Sequence, residues 1–125
     1  MSAAIVLVTH PGIATAMRDR ASELLASPLE EVTVLELDSG PSDPLPELEL
    51  QLAELDRGHG VLILTDLPGA TPCNRARRAT PAHSAVISGL NLPMLIRAWN
   101  YRHRPLEELR DLVVDGGRAA ILEPD

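Results

Sequence analysis

Phenylalanine is absent from the 125-residue chain, and tryptophan and tyrosine occur once each. Lysine is absent as well: the 11 basic residues are all arginine, against 18 acidic ones, for a formal net charge of −7. A nucleic-acid-binding domain of this size carries a basic excess and aromatic side chains for stacking, so nucleic acid is not the expected partner. The single cysteine, Cys73, excludes an internal disulfide framework and suits a reducing compartment. No run approaches the ~20 consecutive apolar residues that a membrane-spanning helix needs. The N-terminus also lacks the basic, apolar and small-residue pattern of a secretory signal. The expectation is a cytoplasmic protein with no direct membrane insertion. Its length suits one compact domain, 1–125, with a real core.

What the chain does have is alternation. Residues 5–8 close an unbroken apolar run rich in β-branched side chains, which suits a strand buried on both faces. Residues 13–26 then carry Ile13, Met17, Leu24 and Leu25 at helical spacing until Ser27-Pro28 stops them. Residues 32–37 ("VTVLEL") read as a second strand, "DSGPSDP" as a turn-rich connection, and 45–55 as a second amphipathic helix. "VLILT" at 61–65 is a third strand, followed by "DLPGATP" and a short Arg-rich helix over about 72–80. "AVIS" at 85–88 is a fourth, and helices follow at 92–101, with Pro93 in the first turn, and at 106–114. Asp115-Gly116-Gly117 should end the last helix and leave "RAAILE" as a short tail. Strands without polar alternation, interleaved with helices, predict an α/β fold: a three-layer α/β/α sandwich around a mainly parallel sheet. In such sheets ligands bind beyond the carboxyl ends of the strands, where the winding direction switches.

Three strand ends carry distinctive residues: Thr9-His10-Pro11-Gly12 after the first, "DLPGATPCN" at 66–74 after the third, and Gly89-Leu90-Asn91-Leu92-Pro93 after the fourth. If the first and third strands are neighbours, His10 and Asp66 fall within side-chain reach. A carboxylate that accepts the Nδ1 hydrogen of an imidazole fixes its tautomer and leaves Nε2 as a free lone pair. An ordinary imidazole, with a pKa of about 6.5, is mostly neutral at neutral pH, so His10 is a candidate general base or covalent nucleophile. "GATPCN" reads as a helix start, with Thr71 as N-cap, Pro72 at the first helical position and Asn74 in the first turn. A helix start presents free N–H groups to an anion, and Gly69 lets the backbone approach closely. A nucleophilic imidazole beside an anion cradle is what a phosphoryl group in transit requires.

These segments, "IVLVTHPGIATAM", "GVLILTDLPGATPCNRA", "VISGLNLPMLI" and "LVVDGGRAAI", resemble the mannose-type enzyme IIA component of the phosphoenolpyruvate-dependent sugar phosphotransferase system. The resemblance covers nearly the whole chain. It implies that His10 is phosphorylated on Nε2, receiving phosphate from an HPr-like phosphocarrier protein and passing it to a IIB component. Asp66 then orients the histidine, while Gly69, Ala70, Thr71, Pro72, Cys73 and Asn74 form the loop and helix start around the phosphate. It further implies a homodimer whose sheet is completed by an antiparallel edge strand exchanged between subunits, for which residues 118–123 are the candidate. Neither a metal nor another cofactor is expected, because the incoming phosphoryl group already sits on a reactive histidine. Many members carry a bulky aromatic before two glycines and a Phe after the proline; here Leu67-Pro68-Gly69-Ala70 and Cys73 stand there.

Other readings stand beside this one. Cys73 near a helix N-terminus suggests a cysteine-dependent hydrolase or transferase. A regulatory phospho-signalling module without a transport duty is another, including a receiver-type domain phosphorylated on aspartate. His59, His83 and His103 lack metal-ligand spacing and read as surface residues. Arg75 and Arg78 share a helix face and read as solvated, and Met94 and Trp99 read as core or interface.

Overall fold

The computed structural model describes residues 2–38 and 45–125. Nine elements follow in order: β1 (Ala4–Thr9), α1 (Ala14–Leu25), β2 (Val32–Glu36), α2 (Leu45–Leu55), β3 (Val61–Thr65), α3 (Thr71–Arg78), β4 (Ser84–Ile87), α4 (Leu92–Asn100) and α5 (Leu106–Ala119). All but the first residue of the "DSGPSDP" connection lies outside the described residues.

The strands form a four-stranded sheet in the order β2-β1-β3-β4, and every pair is parallel. Alternation along each strand divides the core in two. Ile5, Leu7, Leu62 and Leu64 face one layer, where they meet Ala14 and Ala21 of α1, Met94, Leu95 and Ala98 of α4, and Leu109 and Val113 of α5. Val6, Val8, Val61 and Ile63 face the other, with Leu48 and Leu52 of α2 and Ala76 of α3. Both faces are therefore covered, which is why β1 and β3 are apolar up to their last residues, Thr9 and Thr65. The expected three-layer α/β/α arrangement is present.

The chain steps from β1 outward to β2, then turns back across β1 to β3 and β4. That reversal is a topological switch point, and it falls between the carboxyl ends of β1 and β3.

Helix starts follow local chemistry. Asn91 caps α4, its side chain accepting the Met94 N–H at 2.9 Å, with Pro93 in the first turn. α3 begins one residue earlier than expected: Ala70 is the N-cap in extended conformation and Thr71 is already helical, so Thr71 does not cap it. α5 departs further, running through Asp115-Gly116-Gly117 to Ala119 where a break was expected. The glycines are contact points: a Cβ on Gly117 would stand 2.5 Å from Met94 Cγ, and one on Gly116 the same distance from Arg97 Cγ. Close approach of α5 to α4 outweighs the helix-breaking tendency of about 1 kcal/mol per glycine. Arg118 and Ala119 are consequently helical, and residues 121–125 continue without regular structure in the single chain.

Candidate functional site

His10 follows the last residue of β1 and Asp66 the last residue of β3, and the parallel pairing of these strands sets Val8 opposite Thr65. Neighbouring strands thus deliver two side chains 56 positions apart in sequence to one point, with Asp66 Oδ2 lying 2.6 Å from His10 Nδ1. The same oxygen accepts the His10 backbone N–H at 3.1 Å. Oδ1 accepts the Leu67 N–H at 3.1 Å. Burial opposes ionisation of this carboxyl, yet the His10 side-chain and backbone hydrogen bonds outweigh it and hold the Asp66 pKa below the usual value. An ionised carboxylate is acceptor-only, so Nδ1 carries the hydrogen and donates, and in the neutral ring the lone pair is on Nε2. The Asp66 side chain is 10% exposed and the His10 side chain 35%, so the orienting group is sheltered while the imidazole reaches solvent.

The backbone around His10 is held as well. Thr9 is fully buried, and its hydroxyl donates to the His10 carbonyl at 2.8 Å while accepting the Ala14 N–H at 3.0 Å. That contact serves α1, whose N-cap residue Ile13 has no capping side chain. Glu36, paired in register with Thr9 across β1 and β2, accepts the Thr15 N–H at 3.0 Å. The Thr15 and Gly12 amides together lower the Glu36 pKa. Gly12 turns the chain between them at φ +88°, a region that strains residues with a Cβ. The sequence marked Thr9 only as part of a distinctive strand end, with no role, and did not mark Glu36. Their signals were slight: a hydroxyl at the last position of a buried strand, and one carboxylate within "VTVLEL".

On the other side of the histidine, the loop from Asp66 runs through Gly69, at φ +80°, into α3, which packs on β1 and β3. Ala70 N–H is taken by the Leu67 carbonyl at 3.3 Å, and the Asn74 side chain donates to the Gly69 carbonyl at 3.0 Å. Pro72 has no N–H to offer. The first-turn amides of Thr71 and Cys73 have no intrahelical acceptor, and no side chain caps this helix. Of the six residues expected to hold phosphate, Thr71 and Cys73 therefore offer backbone donors and Thr71 a hydroxyl, whereas Asn74 braces the loop. α1, by contrast, already has Glu36 over its N-terminus. The Cys73 side chain itself is buried among core residues, at 5% exposure, and has no access for a nucleophilic role.

The remaining candidates disperse. Arg75 reaches back to the Asp38 carbonyl at 3.5 Å, and Arg78 is exposed. His83 pairs with Glu107 at 3.1 Å and His103 with Ser2 at 2.8 Å; with His59 they line a cavity beside Ala3, at the start of β1 and far along the strands from His10. Met94 is buried and Trp99 packs against the same core, with the Arg102 guanidinium 3.9 Å above its ring centre. Among the described residues no set of three His, Cys, Asp or Glu side chains comes together as a metal site, and no helix is long and apolar enough to cross a membrane.

A doubly wound parallel α/β protein with a carboxylate-oriented imidazole at its switch point is the class that fold and site define. Comparison with known proteins narrows it. Residues 4–113 match the family model described as the PTS system fructose IIA component, and the chain belongs to this mannose-type enzyme IIA family. It is 34% identical over 127 aligned positions to the PTS system mannose-specific EIIAB component of Escherichia coli K12, covering 97% of this chain and 39% of that protein. The same figures hold for the Shigella flexneri protein. The chain thus spans about two-fifths of the length of these curated relatives. Among solved structures, the mannose/sorbose specific IIA subunit from Enterococcus faecalis superposes with a TM-score of 0.80 at 27% identity, covering 100% of this chain and 96% of that one. The EIIA component from Streptococcus agalactiae gives 0.79 at 26%, covering 95% of each chain.

Proposed function

We propose that residues 1–125 form one IIA-like domain that carries phosphoryl groups for sugar uptake or its regulation. His10 Nε2 attacks the phosphorus of a phosphohistidine on an HPr-like protein. The new N–P bond forms as the donor's N–P bond breaks, and the donor imidazole leaves with the electron pair. Asp66 stabilises the positive charge that appears on the His10 ring, and the first-turn amides of α3 with the Thr71 hydroxyl face the phosphoryl oxygens. A IIB component then removes the group by the reverse step. Histidine-to-histidine transfer exchanges like bonds, so positioning and charge stabilisation are the whole task.

The observation that carries this reading is the contact between His10 Nδ1 and Asp66 Oδ2 at 2.6 Å. Mixing the protein with phosphoenolpyruvate, enzyme I and HPr and weighing it intact tests the reading. The expected result is a gain of one phosphoryl mass, labile in acid and stable in base, absent from His10→Ala and formed about 10²-fold more slowly in Asp66→Ala. An unchanged wild-type mass overturns it, and a base-labile product points to an acyl phosphate on aspartate instead.

A homodimer is part of the same reading. β4 ends the sheet with four half-buried residues, and beside it lies a groove of about 460 Å³ lined by Val86, Ile87, Met94, Val114 and Ile121. Ile121 and Leu122 of the tail are 79% and 64% exposed. An open strand edge next to an exposed apolar tail suits exchange of residues 118–123 with a second copy, with α5 unwinding its last residues to supply the strand.

A further inference from the structure

We propose that Thr9 and Glu36 are positioning residues for phosphoryl transfer, forming a clamp that fixes the His10–Ile13 turn from both sides. The inference rests on the phosphoryl-carrier reading above. Three tethers hold this turn and the first residues of α1 that follow it. Asp66 Oδ2 takes the His10 backbone N–H at 3.1 Å, the Thr9 hydroxyl gives to the His10 carbonyl at 2.8 Å, and Glu36 Oε2 takes the Thr15 N–H at 3.0 Å. The first acts together with the ring contact. The other two act on backbone alone; Ile13 supplies no side-chain cap to α1, and the Thr9 hydroxyl also accepts the Ala14 N–H at 3.0 Å.

The clamp matters because the imidazole stands on a turn. Pro11 and Gly12 follow it, Gly12 is at φ +88°, and within the turn the Ile13 N–H reaches the His10 carbonyl only at a long 3.4 Å, a weak hold on the base of the ring. Displacing a reacting atom by about 1 Å costs on the order of 10²-fold in rate. Thr9 is equipped for both of its contacts because a hydroxyl donates and accepts at once. Glu36 reaches the turn because parallel register places it beside Thr9, and its carboxylate complements the positive end of α1.

The test compares single-turnover transfer from phospho-HPr to wild type, Thr9→Ser, Thr9→Val, Glu36→Gln and Glu36→Ala, with donor concentration varied. Thr9→Val and Glu36→Ala should lower the maximal rate about 10-fold or more while the half-saturating donor concentration stays put. Thr9→Ser and Glu36→Gln, which keep an acceptor oxygen, should recover most of the rate. The Thr15 amide resonance should move in Glu36→Ala and return in Glu36→Gln. Wild-type maximal rates in a folded Glu36→Ala or Thr9→Val protein overturn the role of that residue, and rate loss shared equally by the conservative variants overturns the hydrogen-bonding cause. Thr9 is buried and its valine variant risks misfolding; Glu36 lies at the surface, so its variants keep the clamp open to refutation. A wild-type protein that takes up no phosphoryl group overturns the carrier reading and this inference with it, whereas normal uptake by all variants overturns the clamp alone.

Discussion

Asp66 binds three donors with two oxygens, and its lowered pKa makes those bonds a source of pH-dependent stability. The sign follows from the direction of the shift. A carboxyl whose pKa falls on folding contributes fully above its unfolded value of about 3.9 and loses that contribution as pH drops through the lower folded value. Wild type should therefore outlast Asp66→Asn in denaturant at neutral pH, and the gap should close in acid below pH ~4; a gap that widens in acid contradicts the assignment. One residue earlier, Thr65 Oγ1 is the only buried side-chain oxygen or nitrogen among the described residues without a hydrogen-bond partner. An orphaned buried hydroxyl costs free energy that an isosteric methyl does not. Thr65→Val should raise stability by about 1 kcal/mol, measured by urea denaturation.

At the scale of elements, apolar periodicity located every strand and helix, with ends displaced by a residue or two except at α5, which runs to Ala119 where an end at 114 was expected. His10 and Asp66 were legible because each directly follows a buried strand, and only their adjacency had to be supplied by the sheet. Thr9 and Glu36 were not, because their roles depend on the register between β1 and β2, which neither strand states alone. The Gly116-Gly117 pair misled for a related reason. Intrinsic propensity marks glycine as a helix breaker, while the contact with Met94 that keeps the pair inside α5 belongs to another helix. Gly117→Ala measures which force prevails. Alanine gains about 1 kcal/mol of helix propensity, but a Cβ 2.5 Å from Met94 Cγ brings overpacking of about 1–3 kcal/mol. A net loss of stability is expected, seen as a lower Tm, and a Tm above wild type would show that the close approach is dispensable.

For the whole molecule, the β4 edge and the exposed tail are the surfaces on which the proposed dimer rests. Removing residues 120–125 should convert a dimer to a monomer in light scattering after size exclusion, with His10 phosphorylation retained, since the site is assembled from β1, β3 and α3. A truncated chain that remains dimeric would place the interface elsewhere.

The proposed phosphoryl acceptor and the carboxylate beside it come from segments that meet only when β1 and β3 pair. A denatured polypeptide contains the imidazole but not its geometry, so the charge it can be given counts native molecules. Intact-mass analysis across a urea series should then trace the same sigmoid as circular dichroism, making the modification itself a gauge of foldedness.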